Sequence, residues 1–382
     1  MSNSKFFKFS ILGLLPVIMT VGVTFSFNKI SKNQSVCAEV LYPHEDYYHN
    51  NTLPTTIDLN DADSTTIRNY YANLNGKNLN GDNLLAALKP ILSNGQLYFS
   101  YESNDAIWTA YEITDRDWKK SPATEITGEK GSYNPTTGII TNYVYGSNGM
   151  AYNDSKNPYI HALYVDRTFD NPMKAWSKNL GGGIYGDNPQ GFYAHAQRWG
   201  GFNQEHIWAK AHGFDNEGKG GARGDLMHLW PGDGRANLMH NDNCYGYVDK
   251  NAPDSKHVVF YDQNNNLMPD NLNYAINNWL GTSVTVPVNA GDGKPNTVFE
   301  PQDSDKGDIA RACFYMCARY NHIADNDPIS ADEPWLTLSD DLDPAEPRSY
   351  TSTKDHKGVM GVMSDLLEWN RIDPVDEFEI HR

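Results

Sequence analysis

Residues Asn203 to Asn243 read NQEHIWAKAHGFDNEGKGGARGDLMHLWPGDGRANLMHNDN. The stretch holds an adjacent carboxylate and imidazole (Glu205, His206), a Gly-rich gap carrying Arg223, a short apolar run closing on Trp230-Pro231, and Asn237 six residues beyond that proline. The patterning predicts a strand over 202–208, a loop through Gly224, a second strand over 226–230 and a helix beginning near Asp233 that carries Asn237. Asp233 at that start complements the helix dipole, and the same end favours a phosphate oxygen.

These residue types suit one-metal phosphodiester chemistry. Cutting such a bond needs an activated water, a cation against the charge that builds on phosphorus, and a stabilised leaving oxygen. His206 is the candidate general base, since a neutral imidazole accepts a proton near neutral pH. Glu205 and Asn237 offer oxygens, which suit Mg²⁺ or Ca²⁺ better than zinc. On a strand, Glu205 and His206 point to opposite faces, so they either converge through a twist or act on different sides of the phosphate. A Glu–His pair alone is a weak signal, because most such pairs are surface residues. Four histidines make zinc the rival metal, but the chain has no HExxH and no CxxC pair. His212, His228 and His240 read as structural or supporting residues.

With its flanks, the stretch resembles the bacterial endonuclease I family, secreted nucleases with a ββα-metal (His-Me finger) core. The matching residues run Asn203 to Phe214, then Asp225 to Pro231, then Asp233-Gly234-Arg235-Ala236-Asn237. A second block agrees: Phe299-Glu300-Pro301, Lys306 to Arg311 and Phe314-Tyr315-Met316, followed by Trp369 to Val375. The resemblance covers the chain from about Leu84 onward, except that the family's Asn-Arg-Asn-Pro-Phe-Ile-Asp segment is not found.

The resemblance implies His206 as general base and Glu205 and Asn237 as metal ligands. It implies an Arg near the scissile phosphate, for which Arg223 is the candidate in the interval between the two motifs. Lys210, Arg235, His240 and Arg311 become candidate substrate contacts, with a solvated or salt-bridged Arg311 as the plainer alternative. It implies an α+β fold, with a ββα-metal core embedded in a mixed α/β single domain with long loops. The expected activity is a divalent-metal-dependent, largely sequence-nonspecific endonuclease acting on DNA and/or RNA and leaving 5′-phosphate ends. One cation is expected, Mg²⁺ first, with Ca²⁺ or Mn²⁺ as alternatives. Three departures stand out: Gln204 where Arg is usual, Ala209 and Ala211 for Pro and Ser, and His240 for another Arg. They motivate the alternative of a catalytically weak or inactive surface-binding protein on the same fold.

The rest of the chain reads as scaffold. Its 382 residues carry a net charge of −17 and a sequence pI of about 5.0. A general basic footprint for nucleic acid is therefore excluded, and binding must use a local cleft plus the cation, with strong salt sensitivity. Lys5 and Lys8 precede an uncharged apolar stretch over 9–28, and Val36-Cys37-Ala38 offers a cleavage site. Residues 1–38 are read as a signal peptide and the product as a secreted monomer; an uncleaved anchor is the alternative. Residues 39–80 are a polar linker, and 81–382 form the catalytic domain, with insertions at about 146–200 and 251–298. Asp82 is expected to cap a helix bearing Leu84, Leu85, Leu88 and Leu92. A strand is expected over 139–145, a short strand over 258–261 and a helical turn over 273–280. The strongest helical pattern spans 305–320, with Ile309, Ala312, Cys313, Met316 and Tyr320 on one face. Residues 331–353 read as loop and 359–370 as a helix. Of the cysteines, Cys244 either bridges to Cys313 or Cys317, or Cys313 and Cys317 are free core thiols.

Overall fold

The computed structural model describes residues 69–96, 98–99, short strands and isolated positions between 107 and 145, then 160–165, 168–169, 202–214, 221–259, 275–288, 293–323, 329, 333–342 and 357–382 save 377, 380 and 381. The expected leader, most of the linker and most of the 146–200 segment lie outside the described residues.

In chain order, helix α1 (Gly81–Ser93) leads to β1 (Tyr98–Phe99), β2 (Gly128–Glu129), β3 (Ser132–Tyr133), β4 (Ile139–Thr141), β5 (Val144–Tyr145), β6 (Ile160–His161) and β7 (Thr168–Phe169). Then come β8 (Phe202–His206), β9 (Leu229–Asp233), α2 (Gly234–His240), β10 (Cys244–Tyr245), β11 (Lys256–His257), β12 (Trp279–Thr282) and β13 (Thr297–Glu300). Helix α3 (Lys306–Arg319), β14 (Leu336–Leu338), β15 (Gly358–Met360) and α4 (Met363–Ile372) follow. The fold is mixed α/β, with small sheets around one helical core.

Helix α1 forms where the leucine spacing requires. Leu84, Leu85, Leu88 and Leu92 share one face and are all buried. Its cap is Asn80 rather than Asp82, which sits in the first turn, where the dipole favours an acid. Tyr71 and Leu74, from the end of the expected linker, already join this core.

Helix α3 runs one residue inside its predicted bounds at each end but is buried on every side, not along one stripe. It packs between α1, α4 and β14. Its charged residues survive burial because each is paired: Lys306 with Glu300 at 2.9 Å, Arg311 with Asp308 at 2.9 Å, and Arg319 with Glu333 at 2.8 Å.

Three predicted elements move. The second strand of the central unit starts at Leu229, not Leu226. Asp225 folds 225–228 into a turn by accepting the amides of His228 and Leu229 on its carbonyl (3.2 and 3.1 Å) and that of Met227 on its carboxylate (3.0 Å). The predicted helix over 359–370 divides into β15 and α4, because Gly358 to Met360 pair in parallel with β14, inside the stretch expected to be loop. Short apolar runs are ambiguous between the two states until a partner strand is present. The segment read as an insertion at 251–298 supplies β11 and β12, which extend a four-stranded sheet in the order β10-β13-β12-β11. There Leu280 is a strand residue pairing with Phe299, while 275–277 form a turn. The sheet strand near the predicted 258–261 is β11, at 256–257.

Cys244, Cys313 and Cys317 are buried and form no disulfide with one another, so the bridge does not form and Cys313 and Cys317 are core thiols. Burial pushes the Cys317 thiol up to about 12, which keeps it protonated.

Candidate active site

Strands β8 and β9 pair antiparallel, with Asn203 opposite Gly232, Glu205 opposite Trp230 and His206 opposite Leu229. The chain then turns directly into α2. Asp233 caps that helix, its Oδ1 accepting the amides of Arg235 and Ala236, both at 2.9 Å. Asn237 and His240 lie three residues apart, on one face of α2.

Alternation along β8 separates the two motif residues. Asn203 and Glu205 face α2. Asn237 Nδ2 donates to Asn203 Oδ1 at 2.9 Å and to the Gln204 carbonyl at 3.2 Å. Glu205 Oε1 is 2.7 Å from His240 Nδ1 and accepts the Tyr164 hydroxyl at 2.5 Å. His206 points to the other face, against Phe214 and His228, with ring centroids 6.2 and 5.4 Å away. Gly232 is required here, because a Cβ on it would stand 2.8 Å from the Glu205 Cβ.

The protonation state of His206 follows from its neighbours. Its Nε2 lies 3.0 Å from the Arg223 carbonyl. A carbonyl only accepts, so Nε2 carries the hydrogen and the neutral ring keeps its basic lone pair on Nδ1. Burial, then His228 and Lys210, hold the ring's pKa well below the usual histidine range. Arg223 presents this carbonyl from a 3-10 turn over Gly221–Gly224. That turn is anchored by Asp225, whose Oδ2 accepts Gln96 Nε2 at 2.6 Å, the Tyr315 hydroxyl at 2.8 Å and the Tyr320 hydroxyl at 2.9 Å.

Glu205 and Asn237 thus lie on one face of the strand–helix corner and His206 on the other, with Arg223 and Lys210 beside His206. Arg235 is half-buried, and its Nε donates to the Val259 carbonyl at 2.7 Å. Two candidate substrate contacts lie inside the protein, as the structural reading of each expects. His240 is fully buried with both nitrogens engaged, on Glu205 and on the Asn243 carbonyl at 2.9 Å, so it faces the protein rather than a ligand. Arg311 is buried between Asp308 and Glu379, donating from Nε to Glu379 at 2.7 Å, because a charge inside the core requires opposite charge around it. His212 bonds the Asp242 carbonyl at 2.7 Å and His228 the Ala222 carbonyl at 2.6 Å, as supporting residues do.

The oxygens that could hold a cation are Glu205 Oε2 and Asn237 Oδ1. Both hydrogen bonds of Glu205 fall on Oε1, and both of Asn237 use Nδ2. One carboxylate and one amide oxygen make a hard, open donor set that fits Mg²⁺ or Ca²⁺. Among the described residues, no group of three or more His, Cys, Asp or Glu gathers as a metal cluster. Sequence reasoning missed Tyr164 and the anchoring role of Asp225. The second lay inside a quoted motif, while nothing in the sequence marked the first.

Fold and site together define a mixed α/β protein built on a strand–strand–helix unit that carries an imidazole, a carboxylate and an amide. The model of the Endonuclease I family matches residues 81–382, and the chain belongs to that family. It is 29% identical over 208 residues to an extracellular ribonuclease of Bacillus subtilis (strain 168), covering 54% of this chain and 49% of that one. It is 30% identical over 184 residues to an extracellular ribonuclease of Bacillus amyloliquefaciens, covering 48% of this chain and 45% of that one. The chain spans about half the length of these curated relatives. No solved structure matches it. No helix among the described residues is long and apolar enough to cross a membrane.

Proposed function

We propose that the protein is a secreted, divalent-metal-dependent endonuclease, largely indifferent to sequence, which cuts DNA and/or RNA to leave 5′-phosphate ends. The observation that supports this reading is the tautomer of His206 set by the Arg223 carbonyl, on the strand that also carries Glu205, within a chain of the endonuclease I family. The strand–strand–helix unit is then a ββα-metal core. His206 Nδ1 takes the proton of the attacking water. The Arg223 side chain offsets charge on the phosphate, and Lys210 and Arg235 contact the substrate backbone. Glu205 and Asn237 hold one cation, Mg²⁺ in the first instance, which when bound supplies electrostatic stabilisation of the phosphate. The names of the relatives favour RNA among the substrates and an extracellular location. The protein acts as a monomer.

The test is to incubate the purified chain with plasmid DNA and with single-stranded RNA, in Mg²⁺ and in chelator. Cleavage that needs the metal and disappears in His206→Ala supports the reading. Binding without turnover in Mg²⁺, Mn²⁺ and Ca²⁺ would replace it with a non-catalytic nucleic-acid-binding role.

A further inference from the structure

Tyr164 lies outside every motif that marks the site. Its backbone has φ of 75°, a left-handed conformation that a bulky side chain adopts only where its surroundings impose it. It is fully buried. Its amide donates to Asp305 Oδ2, and its carbonyl accepts Asn278 Nδ2 at 2.7 Å. Asn278 Oδ1 in turn accepts the Gln302 amide, and Gln302 Nε2 donates to Asp305 Oδ1, both at 3.1 Å. These four buried residues close a ring of hydrogen bonds around the strained position. The preceding residue is bound to β9: the Leu163 amide reaches the Pro231 carbonyl at 2.9 Å, and the Asp233 amide reaches the Leu163 carbonyl at 3.0 Å. The Tyr164 ring packs edge-on against Phe299, centroids 5.2 Å apart.

From this clamped backbone the hydroxyl reaches two atoms, Glu205 Oε1 at 2.5 Å and the Tyr245 hydroxyl at 2.8 Å. A glutamate has three rotatable torsions, and an unheld carboxylate would sweep its oxygens past a cation rather than present one. We propose that Tyr164 is a positioning residue for the cation site: its hydroxyl, together with His240, engages Oε1 of Glu205 and so fixes the carboxylate with Oε2 left to a cation. The inference rests on reading Glu205 and Asn237 as cation ligands. The strain at Tyr164 then has a purpose, and the ring through Asp305 couples the start of α3 to the metal site.

The test uses the full chain and Mn²⁺ as probe, with free Mn²⁺ read by electron paramagnetic resonance. Tyr164→Phe keeps the ring and removes one oxygen. The Mn²⁺ Kd is expected to rise about tenfold, the usual scale for losing a residue that orients a metal ligand, while the far-UV circular dichroism stays unchanged. A purely structural tyrosine would lower the melting temperature without moving the Kd, and an unchanged Kd overturns the inference. Should Tyr164→Phe fail to fold, Tyr245→Phe removes the hydroxyl that holds the Tyr164 hydroxyl. A raised Kd then supports positioning, and an unchanged one overturns it. If the unaltered chain binds no Mn²⁺, the cation site and this inference fall together; if it binds and both variants bind equally well, only this inference falls.

Discussion

The carbonyl of Arg223 stands 3.0 Å from Nε2 of His206, and this contact selects which ring nitrogen is basic. The tautomer of His206 is therefore set by backbone held from afar, through Asp225 and the hydroxyls of Tyr315 on α3 and Tyr320 at its end. His206→Ala is expected to lower kcat by about 10²–10⁴ and to leave Mn²⁺ binding in place, because the ring lies on the face away from Asn237. Because burial depresses the pKa of His206, the active neutral form persists below the usual histidine range. The acid limb of kcat against pH should accordingly fall below about 6.5; a limb above that value would contradict the assignment.

Gly232 faces the Glu205 side chain across the ladder, with room for hydrogen only. Gly232→Ala should displace Glu205, costing about 1–3 kcal/mol as overpacking does and weakening Mn²⁺ binding. Calorimetry of the variant would check both, and an alanine tolerated without either effect would show that Glu205 can shift freely.

Arg311 separates a structural from a substrate role. Arg311→Ala leaves Asp308 and Glu379 buried without their partner, so chemical denaturation should show a loss of roughly 3–5 kcal/mol. Per folded molecule, KM for nucleic acid should not change. A raised KM with normal stability would restore the groove contact.

His228 should write itself into the acid stability of the protein. Burial lowers its pKa to about 4, against 6.5 for an ordinary histidine. Between those values the unfolded chain binds the extra proton and the native state does not, so stability is complete above about 6.5 and falls as pH drops towards 4. Relative to His228→Phe, which cannot titrate, the unaltered chain should lose on the order of 3 kcal/mol across that window. Parallel stability curves for the two would show that His228 is not held neutral.

The strand–strand–helix unit that carries Glu205, His206 and Asn237 was legible in the sequence because its signals are local. The helix start at Asp233 and the leucine face of α1 are each fixed by residues within a turn or two of one another. The start of β9 was misplaced by three residues, since the turn made by the Asp225 carboxylate and carbonyl competes with strand pattern in a run that is apolar either way. The division of 358–372 into strand and helix depends on Leu336 to Leu338, some twenty residues earlier.

The sequence by itself determined which residues could do chemistry and in what order they arrive, because composition, caps and periodicity act over short distances. Only the tertiary structure decided their surroundings. It buried His240 against Glu205 and Arg311 between two carboxylates, and it brought Tyr164 from 41 residues upstream to the Glu205 carboxylate. Such contacts depend on which distant segments share the core. No local pattern encodes them, since a tyrosine bonding a carboxylate and a tyrosine in the core have the same sequence signature.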